Sequence, residues 1–184
     1  LTEGRPEVTD LVWAEGGDTY RETLCALEKL SEHPLAGAVA AHLEGCAPVI
    51  VEEFESITGR GVSGTVGGRT YYAGNEALLD EHGIAVGEEL RTAAERMAGE
   101  AKTVVWFADA QRALAVAGIT DRLKEGSAKA VRELREQGIA VWMLTGDGEA
   151  AAREVARKAG IDNYRAGVLP HQKEAFIRTL QEEG

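Results

Sequence analysis

The chain has 184 residues, of which 44% are hydrophobic, and this is enough for one sizeable core or two small ones. Its 31 acidic and 20 basic residues give a formal net charge of −11, which argues against a nucleic-acid partner, because Lys and Arg chiefly bind phosphate backbones. No apolar run approaches the roughly 20 residues of a membrane-spanning helix, and the chain does not begin with Met. We therefore expect a soluble piece of a longer protein.

The first part of the chain predicts two helices followed by an antiparallel sheet. Asp18 is expected to cap a helix that ends near Leu30, and Pro34 to open a second helix that ends near Leu43. The hydrophobic period then becomes two, which is typical of strands in an α+β layer. The predicted strands are Val49 to Phe54, Val62 to Val66, Arg69 to Ala73, Thr103 to Ala108 and Arg112 to Gly118, with helices over Asn75 to Glu81 and Gly87 to Ala98.

From Ile119 onward helices and strands alternate. Such alternation predicts a parallel sheet with right-handed crossovers, as in half of a doubly wound domain. The predicted helices are Lys124 to Gln137, Glu149 to Ala159 and His171 to Glu182, with strands at Ile139 to Leu144 and near Tyr164 to Ala166.

Two segments of this second part have the composition of a phosphate site. Thr145, Gly146 and Asp147 follow a predicted strand, and in an open parallel sheet ligands bind beyond the carboxyl ends of the strands. Lys173 follows Pro170 at the start of the last predicted helix, where its charge would suit a phosphoryl group. The alternatives are a capped strand-to-helix turn and an exposed lysine.

Glycines concentrate in the middle of the chain. Six of the sixteen residues from 59 to 74 are glycine, and Gly59 and Gly61 flank Arg60 where a predicted strand begins. Because glycine has no side chain, a flat ring or a phosphate could reach the backbone there. Hairpin turns explain Gly67 and Gly68 equally well. The segment is not a Walker A loop, because no Gly-Lys-Ser/Thr follows.

His33 is the sharpest single candidate for a ligand contact. Pro34 favours an extended conformation at His33, which projects the ring out of the helix that follows. A neutral imidazole can stack on a purine or donate to a phosphate, and Glu28 on the preceding helix can accept from an exocyclic amine. The alternative is a turn residue without a ligand. Cys25 and Cys46 form no Cys-x-x-Cys and are interpreted as buried or half-buried thiols of a reducing cytosol.

The chain resembles the cytosolic ATP-binding unit of heavy-metal-transporting P-type ATPases. The resemblance rests on four segments that occur in this order: Ser-Glu-His-Pro-Leu at 31 to 35, the glycine-rich segment, Thr-Gly-Asp and Pro-x-x-Lys. The resemblance covers essentially the whole chain. It implies an α/β fold in which an antiparallel-sheet α+β nucleotide-binding domain is inserted into a haloacid-dehalogenase-like Rossmannoid parallel-sheet domain. Residues 1–12 would begin that phosphorylation domain, 13–118 would form the nucleotide-binding domain, and 119–184 would continue the phosphorylation domain.

The same resemblance assigns roles to individual residues. It implies an adenine and ribose pocket formed by Glu28, His33, Gly59, Gly61, Gly74 and Asn75. It also implies a phosphoryl site supported by Thr145, Gly146, Asp147 and Lys173, with Asp121 as a further candidate near the interdomain hinge. Gly148 stands where the family usually has Asn.

The implied activity of the intact protein is ATP- and Mg²⁺-dependent transport of a heavy-metal ion through an aspartyl phosphate. Copper(I) is expected, with zinc, cadmium or lead as alternatives. The chain would be a cytoplasmic domain of an integral membrane protein and would work with that protein's own transmembrane and actuator domains. It contains neither the phosphorylated Asp nor the Gly-Asp-Gly-x-Asn-Asp magnesium motif, so we expect it to bind nucleotide without turnover. The alternatives are a soluble haloacid-dehalogenase-like phosphatase with a cap domain and a non-catalytic nucleotide-binding module.

Overall fold

The computed structural model describes residues 2–124, 126–145, 149–168 and 176, with no side-chain description at 2, 3, 122, 150 and 151. The chain divides into two units, one of Gly4–Arg122 and the other of Leu1–Glu3 with Leu123–Gly184. The predicted nucleotide-binding segment 13–118 lies inside the first unit, whose limits reach further in both directions. The domain assignment itself stays a prediction.

A six-stranded sheet with the order β1-β6-β5-β4-β3-β2 spans the first unit, and each adjacent pair from β2 to β6 is antiparallel. Its strands are β1 (Thr2–Trp13), β2 (Glu52–Ile57), β3 (Gly61–Val66), β4 (Arg69–Gly74), β5 (Thr103–Asp109) and β6 (Ala113–Leu123). The strand β1 was not predicted. Its large apolar side chains Val8, Leu11 and Trp13 do not alternate strictly, so the sequence lacks the period of two that identifies a strand.

The predicted strand Val49 to Phe54 is displaced along the chain in the structure, where β2 covers Glu52–Ile57. Its pairing is set by the turn to β3, with Ile57 opposite Gly61, and not by the apolar run before it. Ile50 in that run is 82% exposed. The glutamates of β2 are tolerated because the strand lies at the edge of the sheet.

Four α-helices cover the sheet: α1 (Arg21–Lys29), α2 (Pro34–His42), α3 (Glu76–Glu81) and α4 (Glu88–Gly99). The predicted cap at Asp18 is wrong, because Tyr20 occupies the N-cap of α1 and makes no side-chain cap hydrogen bond. Asp18 lies instead in a short 3₁₀ helix, Gly17–Tyr20, that precedes α1. Pro34 opens α2 as predicted, since its fixed φ suits the first helical position.

Both faces of the sheet are buried. Trp106 and Phe107 are adjacent in β5 and therefore point to opposite faces. Phe107 packs in a cluster with Leu24 and Val39 of α1 and α2, whereas Trp106 packs in a second cluster with residues of α3 and α4 such as Met97. The sheet is thus a middle layer between two helical layers.

The second unit contains α5 (Ser127–Glu136), β7 (Trp142–Leu144), α6 (Glu149–Ala159) and β8 (Asn163–Arg165). As predicted, β7 and β8 are parallel, with Met143 opposite Tyr164. The mixed α/β fold is confirmed. The predicted helix from His171 to Glu182 lies outside the described residues, of which only Phe176 falls in that range. None of the helices in the described ranges is long and apolar enough to cross a membrane.

Candidate functional site

A cavity of about 370 Å³ opens in the first unit between the end of α1, the start of α2, the turn from β2 to β3 and the ends of β4 and β5. The six residues predicted for the base and ribose pocket all line it: Glu28, His33, Gly59, Gly61, Gly74 and Asn75. Aliphatic side chains such as Ile57, Val104 and Val105 form much of the remaining wall. A concave, largely apolar cavity with a few polar groups is typical of a small-molecule site.

Glu28 supplies the buried polar group of this cavity. It lies in the last turn of α1 with 4% of its surface exposed, and none of the described residues is hydrogen-bonded to its carboxyl group. Burial raises the pKa of Glu28 to about 7. Near neutral pH the group therefore exists in both forms and can accept a hydrogen bond or donate one. No buried side-chain N or O atom of the described residues lacks a hydrogen-bond partner, so the carboxyl oxygens of Glu28 are not sealed in the core but reach the cavity that Glu28 lines. A largely desolvated carboxyl group at a cavity is typical of a binding site.

His33 has a structural function that the sequence did not reveal. It is the N-cap of α2, with the extended conformation that Pro34 requires (φ −73, ψ 135), and its Nδ1 accepts a hydrogen bond from the backbone N–H of Leu35 at 3.2 Å. A nitrogen that accepts carries no proton, so the neutral ring is protonated at Nε2. His33 is exposed and lines the cavity, so this second nitrogen is a donor that the ring can offer to a ligand.

The glycines of the wall have two different reasons to be glycine. A Cβ atom on Gly61 would lie 2.1 Å from the carbonyl oxygen of Ala73, and one on Gly74 would lie 2.2 Å from that of Arg60. At these two positions a side chain does not fit. Gly59 has open space around it but a φ of +71, which L-residues rarely adopt. The wall is therefore bare backbone that a ligand can approach closely.

Asn75 holds the glycine segment in place. It is the N-cap of α3, where its Oδ1 accepts a hydrogen bond from the backbone N–H of Leu78 at 3.1 Å. Its Nδ2 donates to the carbonyl oxygen of Gly59 at 2.9 Å, and its backbone N–H donates to that of Arg60 at 2.8 Å. Asn75 thus uses both ends of its amide to join α3 to the segment between β2 and β3.

Several lining residues were missed by the sequence analysis: Ser31, Leu35, Ala36, Ser56, Ile57, Thr58, Val62, Ala73, Thr103, Val104 and Val105. The start of β5 reaches the cavity because β5 pairs with β4, with Trp106 opposite Gly74. That pairing is long-range, and no local motif signals it. Arg60 also lines the cavity and is the one Lys or Arg among its described lining residues, with Nε 3.7 Å from Oε2 of Glu81.

The predicted phosphoryl residues are placed only in part. Thr145 follows β7 directly, its backbone N–H donates to the carbonyl oxygen of Arg165 at 3.0 Å, and its own carbonyl accepts from Val168 at 2.9 Å. Gly146, Asp147 and Lys173 lie outside the described residues, as does Gly148. Within the described parts of the chain, no group of three or more His, Cys, Asp or Glu side chains could hold a metal ion.

Asp121 is not brought to the cavity. It lies in β6, where its Oδ1 accepts a hydrogen bond from the backbone N–H of Arg5 at 3.0 Å. This bond ties β6 to β1, so the geometry gives Asp121 a structural contact and not a place in the cavity wall.

The whole chain, residues 1–184, matches the sequence model of the haloacid dehalogenase-like hydrolases. "Copper-transporting ATPase 2" of Rhizobium meliloti (strain 1021) is 42% identical over 188 residues, which cover 100% of this chain and 23% of that protein. "Copper-exporting P-type ATPase B" of Archaeoglobus fulgidus is 37% identical over 186 residues, covering 100% of this chain and 26% of that protein. The chain thus spans about a quarter of the length of these curated relatives. They confirm the resemblance to heavy-metal P-type ATPases.

Two solved structures share the fold across the whole chain. A zinc-transporting PIB-type ATPase in the E2.Pi state superposes with a TM-score of 0.82 at 24% identity, and the chain covers 30% of it. The catalytic domain of the CPx-ATPase CopB-B, studied upon nucleotide binding, superposes with a TM-score of 0.73 at 21% identity, and the chain covers 64% of it. At these identities the likeness establishes the fold alone.

Proposed function

Because this chain belongs to the haloacid dehalogenase-like hydrolases, we propose that its first unit binds ATP in the cavity between α1, α2 and the glycine segment. The observation that carries the proposal is the carboxyl group of Glu28, which is buried in the cavity wall with no hydrogen-bond partner among the described residues. A ligand that hydrogen-bonds to this carboxyl group would offset the desolvation that raises its pKa.

Adenine fits these requirements. It is flat and apolar on both faces, which suits aliphatic walls such as Val104 and Val105. Its exocyclic amine can donate to the ionised carboxylate of Glu28, and a ring nitrogen can accept from the protonated form. The Nε2–H of His33 provides a second donor. The backbone at Gly59 and Gly61 leaves room for the ribose and phosphates.

In the intact protein, we propose, the bound ATP phosphorylates an aspartate that is absent from these 184 residues, and the cycle of phosphorylation and hydrolysis drives heavy-metal transport. Thr145, Gly146, Asp147 and Lys173 would support the phosphoryl group, and Mg²⁺ would neutralise its charge. The chain would be a cytoplasmic domain that works with the protein's transmembrane and actuator domains. The transported ion would be copper(I), in line with the names of the copper-transporting relatives, with zinc, cadmium or lead as the alternatives.

Nuclear magnetic resonance of the 184-residue chain tests the binding proposal directly. Addition of ATP should shift the backbone amide signals of Gly59, Gly61 and Gly74, which line the cavity. The amides of Gly83 and Gly99 do not line it and serve as internal controls. Shifts confined to the control glycines, or no shifts at millimolar ATP, would exclude this cavity as the nucleotide site.

A further inference from the structure

The two cysteines of the chain converge on one backbone oxygen. Cys25 lies on α1 and Cys46 follows α2, yet their Sγ atoms lie 3.7 and 2.8 Å from the carbonyl oxygen of Leu43. Burial and the adjacent thiol of Cys46 raise the pKa of the Cys25 thiol. Both sulfur atoms thus contact one oxygen atom, although 20 residues separate the two cysteines in sequence.

We propose that Cys25 and Cys46 together form a two-coordinate site for a soft monovalent cation, Cu(I) or Ag(I). Soft thiolates select such ions, and two sulfur ligands are a sufficient set for linear coordination. Cys46 is partly exposed and gives the ion a route from solvent, whereas Cys25 is 1% exposed and holds it against α1. Neither residue lines the proposed nucleotide cavity, so the site is separate from it.

Binding of the ion exchanges two protons for one cation. On binding, two S–H bonds break and two sulfur–metal bonds form, both protons go to solvent, and no atom changes oxidation state. The product, a bis-thiolate with one cation, carries a net charge of −1. A bound ion would link α1 to the segment that follows α2.

The test titrates the reduced, metal-free 184-residue chain with Ag(I), a probe that does not change oxidation state, and then with Cu(I) in competition with a chromophoric chelator. We expect one ion per chain. Cys46→Ser should weaken the affinity at least about a hundredfold, because a single thiolate cannot complete the linear site. Met97→Leu removes a buried thioether from a different cluster and should leave the affinity unchanged.

Two further measurements keep the proposal falsifiable. Cys25→Ser should abolish binding as well; if it unfolds the chain, Cys46→Ser decides alone, because Cys46 is only partly buried. Zn(II) should bind far more weakly than Ag(I), since its structural sites need four ligands and the described residues contain no group of three. Unchanged affinity for Ag(I) in Cys46→Ser, or equal affinity for Zn(II), would overturn the proposal.

Discussion

Gly61 and Gly74 lie opposite each other across the β3–β4 ladder, and neither can carry a side chain without striking the other strand. A Cβ atom on Gly61 would lie 2.6 Å from Cα of Gly74, and one on Gly74 would lie 2.9 Å from Cα of Gly61. The two strands therefore approach each other where they form the wall of the cavity. This close approach explains why both positions are glycine, and at Gly61 a φ of +152 is a second reason, because L-residues rarely adopt it.

The first prediction follows from this contact. Gly61→Ala and Gly74→Ala should each destabilise the chain by roughly 3 kcal/mol, because the added methyl group meets backbone atoms that cannot move without separating the strands. Gly59→Ala should cost only about 1 kcal/mol, since its surroundings are open and only its positive φ resists a side chain. Urea denaturation measures all three. Equal losses at the three positions would contradict the steric explanation.

The second prediction separates the two functions of His33. His33→Asn keeps an N-cap side chain, because Asn is among the best N-cap residues, whereas His33→Gln loses the cap and should cost about 1 kcal/mol of stability. Both changes remove the imidazole and should weaken ATP binding by roughly 1 to 2 kcal/mol. Denaturation and calorimetry provide the two readouts. Normal ATP affinity in His33→Asn would leave His33 with its capping function alone.

The third prediction concerns the dependence of stability on pH. Burial raises the pKa of Glu28 to about 7, above its ordinary value near 4.5, so the folded state holds this proton more tightly than the unfolded chain. Its contribution to the free energy of unfolding is fully present below pH 4.5 and is lost as the pH rises through 7. Glu28→Gln cannot ionise and should be more stable than the parent at pH 8, by up to about 3 kcal/mol.

Urea denaturation at pH 4.5 and pH 8 checks this expectation. The difference between Glu28→Gln and the parent should be small at pH 4.5 and should grow with pH. Glu44→Gln is a matched control, because Glu44 is exposed and its replacement should change stability little at either pH. The same Glu28→Gln difference at both pH values would show that ionisation of Glu28 does not govern the effect.

The fourth prediction is that the 184-residue chain releases no phosphate from ATP. It contains no Asp-Lys-Thr-Gly-Thr segment, and without that aspartate no aspartyl phosphate can form. A steady-state phosphate assay with millimolar ATP and Mg²⁺ measures this. Sustained turnover that disappears in Asp147→Asn would favour the soluble phosphatase over the transport ATPase.

The polar and glycine residues of the cavity could be predicted because they lie in short, local sequence motifs. Glu28 and His33 are five residues apart, and the glycine segment is conspicuous in sequence, so these residues could be chosen before their positions were known. The start of β5 could not be chosen, since only its pairing with β4 brings Thr103 and Val104 to the same cavity. Long-range pairing leaves no local signal.

The capping groups were the least predictable part of the fold. Asp18 has the right side chain for an N-cap, but Gly16 adopts a φ of +69 and starts a 3₁₀ helix before α1, so the cap position falls on Tyr20. His33 is an uncommon N-cap residue, and only the structure shows its bond to Leu35. Capping depends on where a helix begins to within one residue, which hydrophobic periodicity does not resolve.

The central claim, that the cavity holds an adenine nucleotide by its base, is tested most directly by calorimetric titration of the 184-residue chain with ATP, ADP and AMP. We predict similar weak dissociation constants for all three, in the range of ~0.1 to several mM, because the proposed base contacts lie in the first unit and Arg60 is the one Lys or Arg among the described lining residues. Glu28→Ala should weaken all three alike. Binding of ATP more than about a hundredfold tighter than AMP would show that phosphate contacts dominate, and it would contradict the account.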